Sequence, residues 1–308
     1  ALAWEATRRV TAAVMVTGSH IPADRNGLKF YTALGEITKA DETAIAAGVG
    51  DLTNAPAPPA TSMAQDETAL ANYIARYTDF FAPDTLTGLR IGVYEHSSAA
   101  RACLGTILSA LGAEVVPLGR SETFVPVDTE ALDPDTQAML AGWAKEHALD
   151  AIVSTDGDAD RPMLADASGA IIPGDRLGPM TAQALGARTL VTPVSSNTLT
   201  DAMDDVTVHR TRIGSPYVIA GMEAAQADGA TDVVGYEANG GFLIGFTAQQ
   251  DGRTLAPLMT RDCGLPLIAP LASARSRDLG IAELNATLPA RFTAADRLVA
   301  SPPTSRAH

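Results

Sequence analysis

The stretch that decides the fold is AIVSTDGDADR, which occupies residues 151–161. It opens with the apolar run Ala151–Val153 and continues into a loop that carries three aspartates and an arginine. Along the chain, short β-branched runs of this kind alternate with longer segments of helical spacing. That alternation is typical of parallel α/β units. We therefore predict an α/β protein in which residues 156–161 form a loop directly after a buried strand.

The same pattern predicts the other elements of the fold. The predicted strands lie at 14–16, 89–94, 114–118, 151–154, 189–193, 206–209 and 232–234. The predicted helices lie at 41–49, 63–81, 99–111, 136–147, 177–185, 216–227 and 260–275. Segments rich in Pro and Gly near residues 81–88 and 172–175 divide the chain into three blocks, and a hairpin turn is predicted at 166–169.

Composition narrows the class of protein. The chain has 308 residues, a formal net charge of −14 at pH 7 and 5% aromatic residues. An acidic chain poor in aromatics disfavours nucleic acid and anionic membranes as partners, although a local cluster of cations can still bind an anionic small substrate. The two cysteines form no CxxC motif, which favours a reducing compartment. We predict neither a signal peptide nor a membrane span.

The acidic loop is the first candidate site. In an extended segment, carboxylates at Asp156, Asp158 and Asp160 project to one side. Three like charges placed together favour a hard cation such as Mg²⁺ among them, and Arg161 offers a fork for a phosphate. The alternative is an acidic turn that is simply solvated.

A second candidate is TGSHIP at residues 17–22, which follows the apolar run 12–16. A buried strand that ends in this turn would place the Ser19 hydroxyl at the carboxyl end of a parallel sheet, where α/β enzymes bind ligands. The Asn26-Gly27 turn then returns Lys29 to the same neighbourhood, as a general acid/base or a phosphate partner. The alternatives are a serine that caps a local amide and a solvated surface lysine.

Two further segments carry polar groups beside predicted elements. In GYEANGG at 235–241, Glu237 and Asn239 could hold adjacent sugar hydroxyls, although a simple loop is the alternative. In RTRIGS at 210–215, Arg212 and Gly214 precede a predicted helix, where cations and backbone amides could bind phosphate. Surface ion pairs are the alternative there.

In this order and spacing, the four segments resemble the signature motifs of the α-D-phosphohexomutase superfamily, within its phosphomannomutase/phosphoglucomutase group. The resemblance implies successive three-layer α/β domains with mixed sheets around a central cleft. We expect a phosphoserine-bearing domain at 1–82, shortened at its N-terminus, a metal-loop domain at 83–172 and a sugar-binding domain at 173–280. Residues 281–308 would be the remnant of a linker, with the family's fourth domain absent.

The resemblance also implies an activity and its residues. Ser19 would carry a phosphoryl group and exchange it with a hexose phosphate, so that mannose 6-phosphate and mannose 1-phosphate interconvert through a hexose 1,6-bisphosphate. The bisphosphate would act as activator, and the enzyme would be a cytoplasmic monomer or weak homodimer. The implied catalytic residues are Ser19, His20, Lys29 and Arg161. The implied Mg²⁺ ligands are Ser19, Asp156, Asp158 and Asp160, and the implied substrate-binding residues are Arg212, Gly214, Glu237 and Asn239.

Three alternatives to this reading stay open. The substrate could be a glucose or glucosamine phosphate, because these sugars are closely similar. The chain could be a degenerate member of the family that binds phosphosugar without catalysis. A phosphatase of the haloacid dehalogenase type would need an Asp nucleophile in a DxDxT-like motif, and residues 155–160 do not supply its threonine.

Overall fold

The structure is a computed structural model that describes residues 1–19, 26–49 and 64–294. Its helices are α1 (Leu2–Arg9), α2 (Lys39–Val49), α3 (Thr68–Thr78), α4 (Arg101–Ala110), α5 (Pro134–Glu146), α6 (Gly174–Ala184), α7 (Ser215–Ala227), α8 (Gly264–Ser276) and α9 (Ile281–Ala286). Its strands are β1 (Ala13–Thr17), β2 (Gly27–Thr32), β3 (Gly35–Glu36), β4 (Arg90–Tyr94), β5 (Glu114–Leu118), β6 (Ala151–Thr155), β7 (Pro162–Asp166), β8 (Ile171–Ile172), β9 (Thr189–Pro193), β10 (Thr207–Thr211), β11 (Val233–Tyr236), β12 (Phe242–Ile244), β13 (Ala248–Gln250), β14 (Arg253–Leu255) and β15 (Leu258–Asp262). Every strand predicted from the sequence is present, with ends within two residues of the prediction.

The first block differs from the expected parallel sheet. Strands β1, β2 and β3 form an antiparallel sheet in which Met15 lies opposite Lys29. The chain turns back after Ser19, and Asn26 Oδ1 accepts a hydrogen bond from the Gly27 amide where β2 begins. Because the return is so short, β2 must run alongside β1 in the opposite direction. Ser19 therefore lies at the end of an antiparallel hairpin strand in the described residues.

The second block contains a mixed sheet in the order β5-β4-β6-β7-β8. Strands β5, β4 and β6 are parallel, while β7 and β8 run antiparallel to their neighbours. The predicted hairpin turn is confirmed between β7 and β8, where Asp166 Oδ1 accepts the amides of Ser168 and Ala170. Helices α4 and α5 pack on this sheet. The central strand β6 delivers the acidic loop.

The third block repeats this arrangement in the order β10-β9-β11-β12-β15. Strands β10, β9 and β11 are parallel, and β12 and β15 are antiparallel. The helix predicted at 260–275 is wrong over its first residues, because α8 begins only at Gly264. In β15 the side chains of Leu258, Thr260 and Asp262 are buried and those between them are half-buried. That period of two is the burial pattern of a strand.

A continuous apolar core joins the blocks. It includes Tyr77 of α3, Ile107 of α4, Leu190 of β9 and Leu265 of α8. Helix α3 packs against both α1 and α4, and β3 lies against β15. The domain limits expected at 1–82, 83–172, 173–280 and 281–308 remain predictions. None of the helices in the described ranges combines the length and apolarity needed to cross a bilayer.

Candidate active site

The acidic loop brings its carboxylates together through a turn rather than through an extended segment. Ala159 has a left-handed backbone, with φ of +61°. Asp156 Oδ1 accepts hydrogen bonds of 3.2 Å from the amides of Asp160 and Arg161. One oxygen from each of Asp156, Asp158 and Asp160 then lies within 4.8 Å of the others. The convergence predicted from the sequence is present, but the turn produces it.

The loop between β4 and α4 supports the acidic loop through hydrogen bonds. The His96 ring nitrogen Nε2 lies 2.8 Å from the Thr155 carbonyl oxygen, and the hydroxyls of Ser98 and Thr155 are 2.6 Å apart. The Ala99 amide donates a 2.9 Å hydrogen bond to the Gly157 carbonyl. Burial lowers the pKa of His96, so the neutral ring is favoured. Sequence reasoning missed these residues, because the support comes from a separate loop.

Ser19 lies against the acidic loop. Its backbone is left-handed, with φ of +49°, and its amide donates to Thr17 Oγ1. Its hydroxyl donates a 2.7 Å hydrogen bond to Asp156 Oδ2. The structure therefore brings together two of the segments that the sequence singled out. His20, the neighbouring candidate, lies outside the described residues.

Lys29 approaches the same carboxylates from β2. Its ammonium donates to Asp158 Oδ2 and, at 2.6 Å, to Asp160 Oδ2. Burial acts to lower the pKa of Lys29, but the carboxylates of Asp160 and Asp158 outweigh that effect and raise it above its ordinary value. Burial acts to raise the pKa of Asp158, and the Lys29 ammonium brings it below its ordinary value. Lys29 is thus a cation and Asp158 an anion at neutral pH.

The pKa of Asp156 is shifted in the opposite direction to that of Asp158. Burial, together with the charges of Asp160 and Asp158, raises its pKa to about 7. Its side chain is fully buried, and no described lysine is bonded to it as Lys29 is to the other two aspartates. Asp156 can therefore take up or release a proton near neutral pH while it faces the Ser19 hydroxyl.

The carboxylate cluster fits a divalent cation. Asp158 Oδ1 and Asp160 Oδ1 are buried and have no hydrogen-bond partner in the described chain. Buried carboxylate oxygens are costly unless they are hydrogen-bonded or bound to a cation. Carboxylate oxygens are also the kind of ligand that Mg²⁺ takes in proteins. The Asp triad predicted from the sequence is therefore suited to hold such an ion.

Arg161 lies at the edge of the cluster among acidic side chains. Its Nη1 is 3.6 Å from Glu130 Oε2 and 4.0 Å from Asp128 Oδ1, and its Nε is 3.9 Å from Asp156 Oδ2. Its Nε has no hydrogen-bond partner within the described ranges. These ion pairs are long, so no single carboxylate holds the guanidinium tightly.

Glu237 and Asn239 lie in the loop that follows β11. Asn239 Oδ1 accepts a 2.9 Å hydrogen bond from the Gly241 amide, which leaves its amide nitrogen as a donor. Glu237 is buried, and its Oε2 lacks a hydrogen-bond partner among the residues that the structure describes. Burial raises the pKa of Glu237, although the nearby Arg261 opposes the shift. The loop thus presents an acceptor and a donor close together.

The two arginines of the RTRIGS segment, residues 210–215, lie in different environments. Arg210 is tied to its own block through the carbonyls of Ser196 and Asn197 and the carboxylate of Asp201. Arg212 is exposed, and its guanidinium lies 5.8 Å from the ring centre of Tyr217. The structure records no contact between Arg212 and the acidic loop in the described part of the chain.

Gly214 lies at the start of α7, close to the first block. Its φ is +121°, a conformation that favours glycine, and it immediately precedes the helix. The next residue, Ser215, donates a 2.6 Å hydrogen bond to Glu36 Oε2. The start of α7 is therefore connected to the rest of the site through Glu36.

The structure adds Arg261 and Glu36, which sequence reasoning missed. Arg261 Nη2 is 2.8 Å from Asp160 Oδ2, and its Nη1 and Nε are 3.7 Å from Glu237 Oε2 and Glu36 Oε1. A cavity of 330 Å³ is bordered by Lys29, Glu36 and Arg261, among others. The prediction of a helix at 260–275 hid Arg261. Only the pairing of β15 with β12, which joins distant segments, shows that Arg261 belongs to a strand.

Comparison with known proteins places this geometry in a family. Three models described as phosphoglucomutase/phosphomannomutase, alpha/beta/alpha domains I, II and III, match residues 1–55, 71–169 and 173–273. A phosphomannomutase of Sinorhizobium fredii is 50% identical over 277 residues, which are 88% of this chain and 58% of that protein. A phosphomannomutase of Salmonella muenchen is 46% identical over 299 residues, which are 97% of this chain and 61% of that protein. The chain thus spans less than two thirds of either relative.

Solved structures agree on the fold. A phosphoglucomutase/phosphomannomutase family protein from Burkholderia thailandensis has a TM-score of 0.69 at 19% identity, with 91% of this chain and 58% of that chain covered. The Aspergillus fumigatus N-acetylphosphoglucosamine mutase has a TM-score of 0.60 at 15% identity, with 94% and 74% covered. With three successive domain matches and two relatives near half identity, the chain belongs to the phosphoglucomutase/phosphomannomutase group of the α-D-phosphohexomutase superfamily.

Proposed function

We propose that this chain acts as a phosphomannomutase, which interconverts mannose 6-phosphate and mannose 1-phosphate through a phosphoserine at Ser19 and a hexose 1,6-bisphosphate. The observation that carries the proposal is the 2.7 Å hydrogen bond from Ser19 Oγ to Asp156 Oδ2. It places a nucleophilic oxygen on a buried carboxylate cluster suited to a cation. The phosphomannomutases at 50% and 46% identity support mannose as the sugar.

The proposed cycle consists of two phosphoryl transfers. In the first, a sugar hydroxyl oxygen attacks the phosphorus on Ser19, the bond from phosphorus to Ser19 Oγ breaks, and a hexose bisphosphate forms. After the sugar reorients, Ser19 Oγ attacks the other phosphate and regains a phosphoryl group. Each transfer releases one proton from the attacking oxygen and returns one to the leaving oxygen. The cycle therefore needs neither water nor a net supply of protons.

Asp156 would position the Ser19 oxygen in this cycle, and Lys29 would supply a positive charge and a proton. Asp156 Oδ2 accepts a hydrogen bond from the Ser19 hydroxyl, and this contact would hold Oγ in position for attack. Lys29 has a raised pKa and enters as the ammonium form. It can therefore donate a proton or stabilise phosphoryl oxygens, and it must lose its own proton before it could serve as a base.

The proposed metal is Mg²⁺, held by Asp156, Asp158, Asp160 and the Ser19 oxygen. When bound, the ion would neutralise negative charge on the transferring phosphoryl group. The Aspergillus fumigatus N-acetylphosphoglucosamine mutase, a neighbour in fold, was solved with GlcNAc-6P and magnesium and, as a variant, with glucose 1,6-bisphosphate. Those complexes support both the metal and a hexose 1,6-bisphosphate as activator here.

The remaining candidates are proposed to bind the sugar phosphate. The buried Glu237 carboxylate would accept hydrogen bonds from sugar hydroxyls, and the Asn239 amide would donate one. Arg161 would stabilise the transferring phosphoryl group through paired hydrogen bonds from its guanidinium. Arg212 and Gly214, which lie just before α7, are proposed to bind the substrate phosphate. His20 is proposed as a second acid/base candidate beside Ser19.

We further propose a monomer or weak homodimer in the cytoplasm. The two cysteines, Cys103 and Cys263, are buried free thiols, which fits a reducing compartment.

A coupled assay on three sugars tests the substrate. The chain is given Mg²⁺, a trace of hexose 1,6-bisphosphate, and mannose, glucose or glucosamine 1-phosphate in separate reactions. We expect the mannose phosphate to react fastest, Ser19→Ala to be inactive, and the surface control Ser276→Ala to match the parent. Equal rates, or a preference for glucose, would overturn the choice of mannose. No turnover of any sugar, with no phosphorylation of Ser19, would overturn the mutase and favour a noncatalytic binding protein.

A further inference from the structure

Arg261 lies where the three blocks of the chain meet. It projects from β15, and its side chain is 13% exposed. Its guanidinium faces Asp160 of the second block, Glu36 of the first and Glu237 of the third. Burial acts to lower the pKa of Arg261, but these carboxylates raise it above its ordinary value. Arg261 is therefore a permanent cation between the acidic loop and the sugar loop.

The contacts of Arg261 are unequal. The pair with Asp160 is close, at 2.8 Å, whereas Glu237 Oε2 and Glu36 Oε1 are each 3.7 Å away. Arg261 Nε and Glu237 Oε2 have no hydrogen-bond partner among residues 1–19, 26–49 and 64–294. The group that faces Glu237 Oε2 is Arg261 Nη1, and their 3.7 Å separation is beyond hydrogen-bond distance, so a buried carboxylate oxygen is left unpaired at a cost. A hydroxyl oxygen that accepts from Arg261 and donates to Glu237 would satisfy both.

Gly241 makes room for the arginine. A Cβ at position 241 would lie 2.8 Å from Arg261 Cδ and 2.9 Å from Arg261 Cγ. A methyl group at 241 would therefore have to shift the Arg261 side chain, and it would also lie 3.0 Å from Asn239 Oδ1. Arg261 can pass this close to the sugar loop because position 241 has no side chain.

We propose that Arg261 is a substrate-binding residue, which donates hydrogen bonds to the same hydroxyl of an aldohexose phosphate that Glu237 accepts from. The inference rests on the proposed function, because it assumes that a phosphosugar binds between the acidic loop and the sugar loop. A merely structural Arg261 would hold the blocks together and leave ligand affinity unchanged in a folded variant. A substrate-binding Arg261 changes affinity without unfolding the chain.

The test measures binding of mannose 6-phosphate by isothermal titration calorimetry, in a Ser19→Ala background that prevents turnover. We expect Arg261→Gln to weaken binding by about 10- to 100-fold at a temperature where the variant remains folded, with a lower Tm because a buried cation is lost. Arg261→Lys keeps the charge but loses the fork, so its affinity falls between those of Arg261→Gln and the parent. Arg275→Gln, an exposed arginine on α8 that donates to the Thr87 carbonyl, is the matched control and should bind as the parent does.

The pairing with Gly241 gives a second, independent measurement. Gly241→Ala alone should weaken binding, and it should weaken binding less in the Arg261→Gln background than in the parent, because part of its effect acts through Arg261 and part through Asn239. If Arg261→Gln does not fold, the comparison of Arg261→Lys with Gly241→Ala takes its place, and both must bind more weakly than the parent.

The inference is overturned if the parent binds and the Arg261 variants match it within about twofold. A parent chain that binds no hexose phosphate at all overturns the proposed function, and this inference falls with it. Binding by the parent distinguishes the two failures: it is retained when only the inference is wrong and absent when the proposed function is wrong.

Discussion

The Ser19 hydroxyl donates a 2.7 Å hydrogen bond to Asp156 Oδ2, although 137 positions separate the two residues. The Ser19 backbone lies so close to the acidic loop that position 157 has no room for a side chain. A Cβ on Gly157 would lie 2.6 Å from the Ser19 carbonyl oxygen, a distance that real Cβ atoms do not show. The loop that carries Ser19 and the acidic loop therefore form one unit, and the chemistry proposed for Ser19 depends on their separation.

Gly157→Ala should impair phosphoryl transfer more than folding. The new methyl group pushes the Ser19 backbone away from Asp156, and small displacements of reacting groups have large effects on rate. We expect the rate of Ser19 phosphorylation by hexose 1,6-bisphosphate to fall by at least about 10-fold, with a small change in Tm. Gly142→Ala, an exposed position of α5 with open space around it, is the control and should be neutral or stabilising by about 0.5–1 kcal/mol. A Gly157→Ala rate equal to that of the Gly142→Ala control would contradict the prediction.

Lys29→Met should lower the stability of the chain, because it removes a cation from the acidic loop. The ammonium is bonded to Asp158 and Asp160, so its loss leaves buried carboxylates with less compensation. In EDTA we expect the free energy of unfolding in urea to fall by about 1–3 kcal/mol. Addition of Mg²⁺ should then restore more stability to Lys29→Met than it adds to the parent, because the ion replaces the missing cation.

The control for that experiment is Lys39→Met. Lys39 pairs with Glu42 on the exposed surface of α2, where an ion pair contributes little. Its stability should follow that of the parent in EDTA and in Mg²⁺. If Lys29→Met behaves in the same way as Lys39→Met under both conditions, the role assigned to Lys29 is wrong.

The pH dependence of stability should report Asp156. Burial and the neighbouring aspartates raise its pKa from 3.8 to about 7, so the folded chain binds this proton more tightly than the unfolded chain does. The stability contributed by that proton is complete below pH 3.8 and is lost as the pH rises through 7. In EDTA, the parent should therefore lose about 2–3 kcal/mol between pH 5 and pH 8 that Asp156→Asn does not lose.

Asp66→Asn serves as the control for this pH experiment. Hydrogen bonds from Thr68 lower the pKa of Asp66 to about 2, so its contribution disappears only at acid pH and is constant between pH 5 and pH 8. Urea unfolding at the two pH values gives the slope for each variant. A slope for Asp156→Asn that equals those of the parent and Asp66→Asn would show that Asp156 does not titrate in this range.

Local sequence signals predicted the parts of the site that depend on neighbours in the chain. The Asn26-Gly27 pair predicted that Lys29 returns towards Ser19, and both residues contact the acidic loop, although Gly27 itself is the first residue of β2. The glycine-rich context of Glu237 likewise predicted a polar loop directly after a strand. These predictions rest on turn chemistry and short apolar runs, which act over a few residues.

The remaining features depend on contacts between distant segments. Arg261 looked like part of an apolar helix, and only the pairing of β15 with β12 fixes it as a strand residue that faces the cleft. The partner of Ser215 is Glu36, 179 positions away, which no spacing rule connects. The turn at Ala159 was also missed, because a left-handed alanine has no signal in the sequence.

The most direct test of the central claim is the intact mass of the purified chain after incubation with hexose 1,6-bisphosphate and Mg²⁺. We predict a species heavier than the unmodified chain by about 80 Da, the mass of one phosphoryl group, which is absent in Ser19→Ala and retained in Ser276→Ala. Its absence from the parent, or its persistence in Ser19→Ala, would contradict the assignment of Ser19 as the phosphoryl carrier.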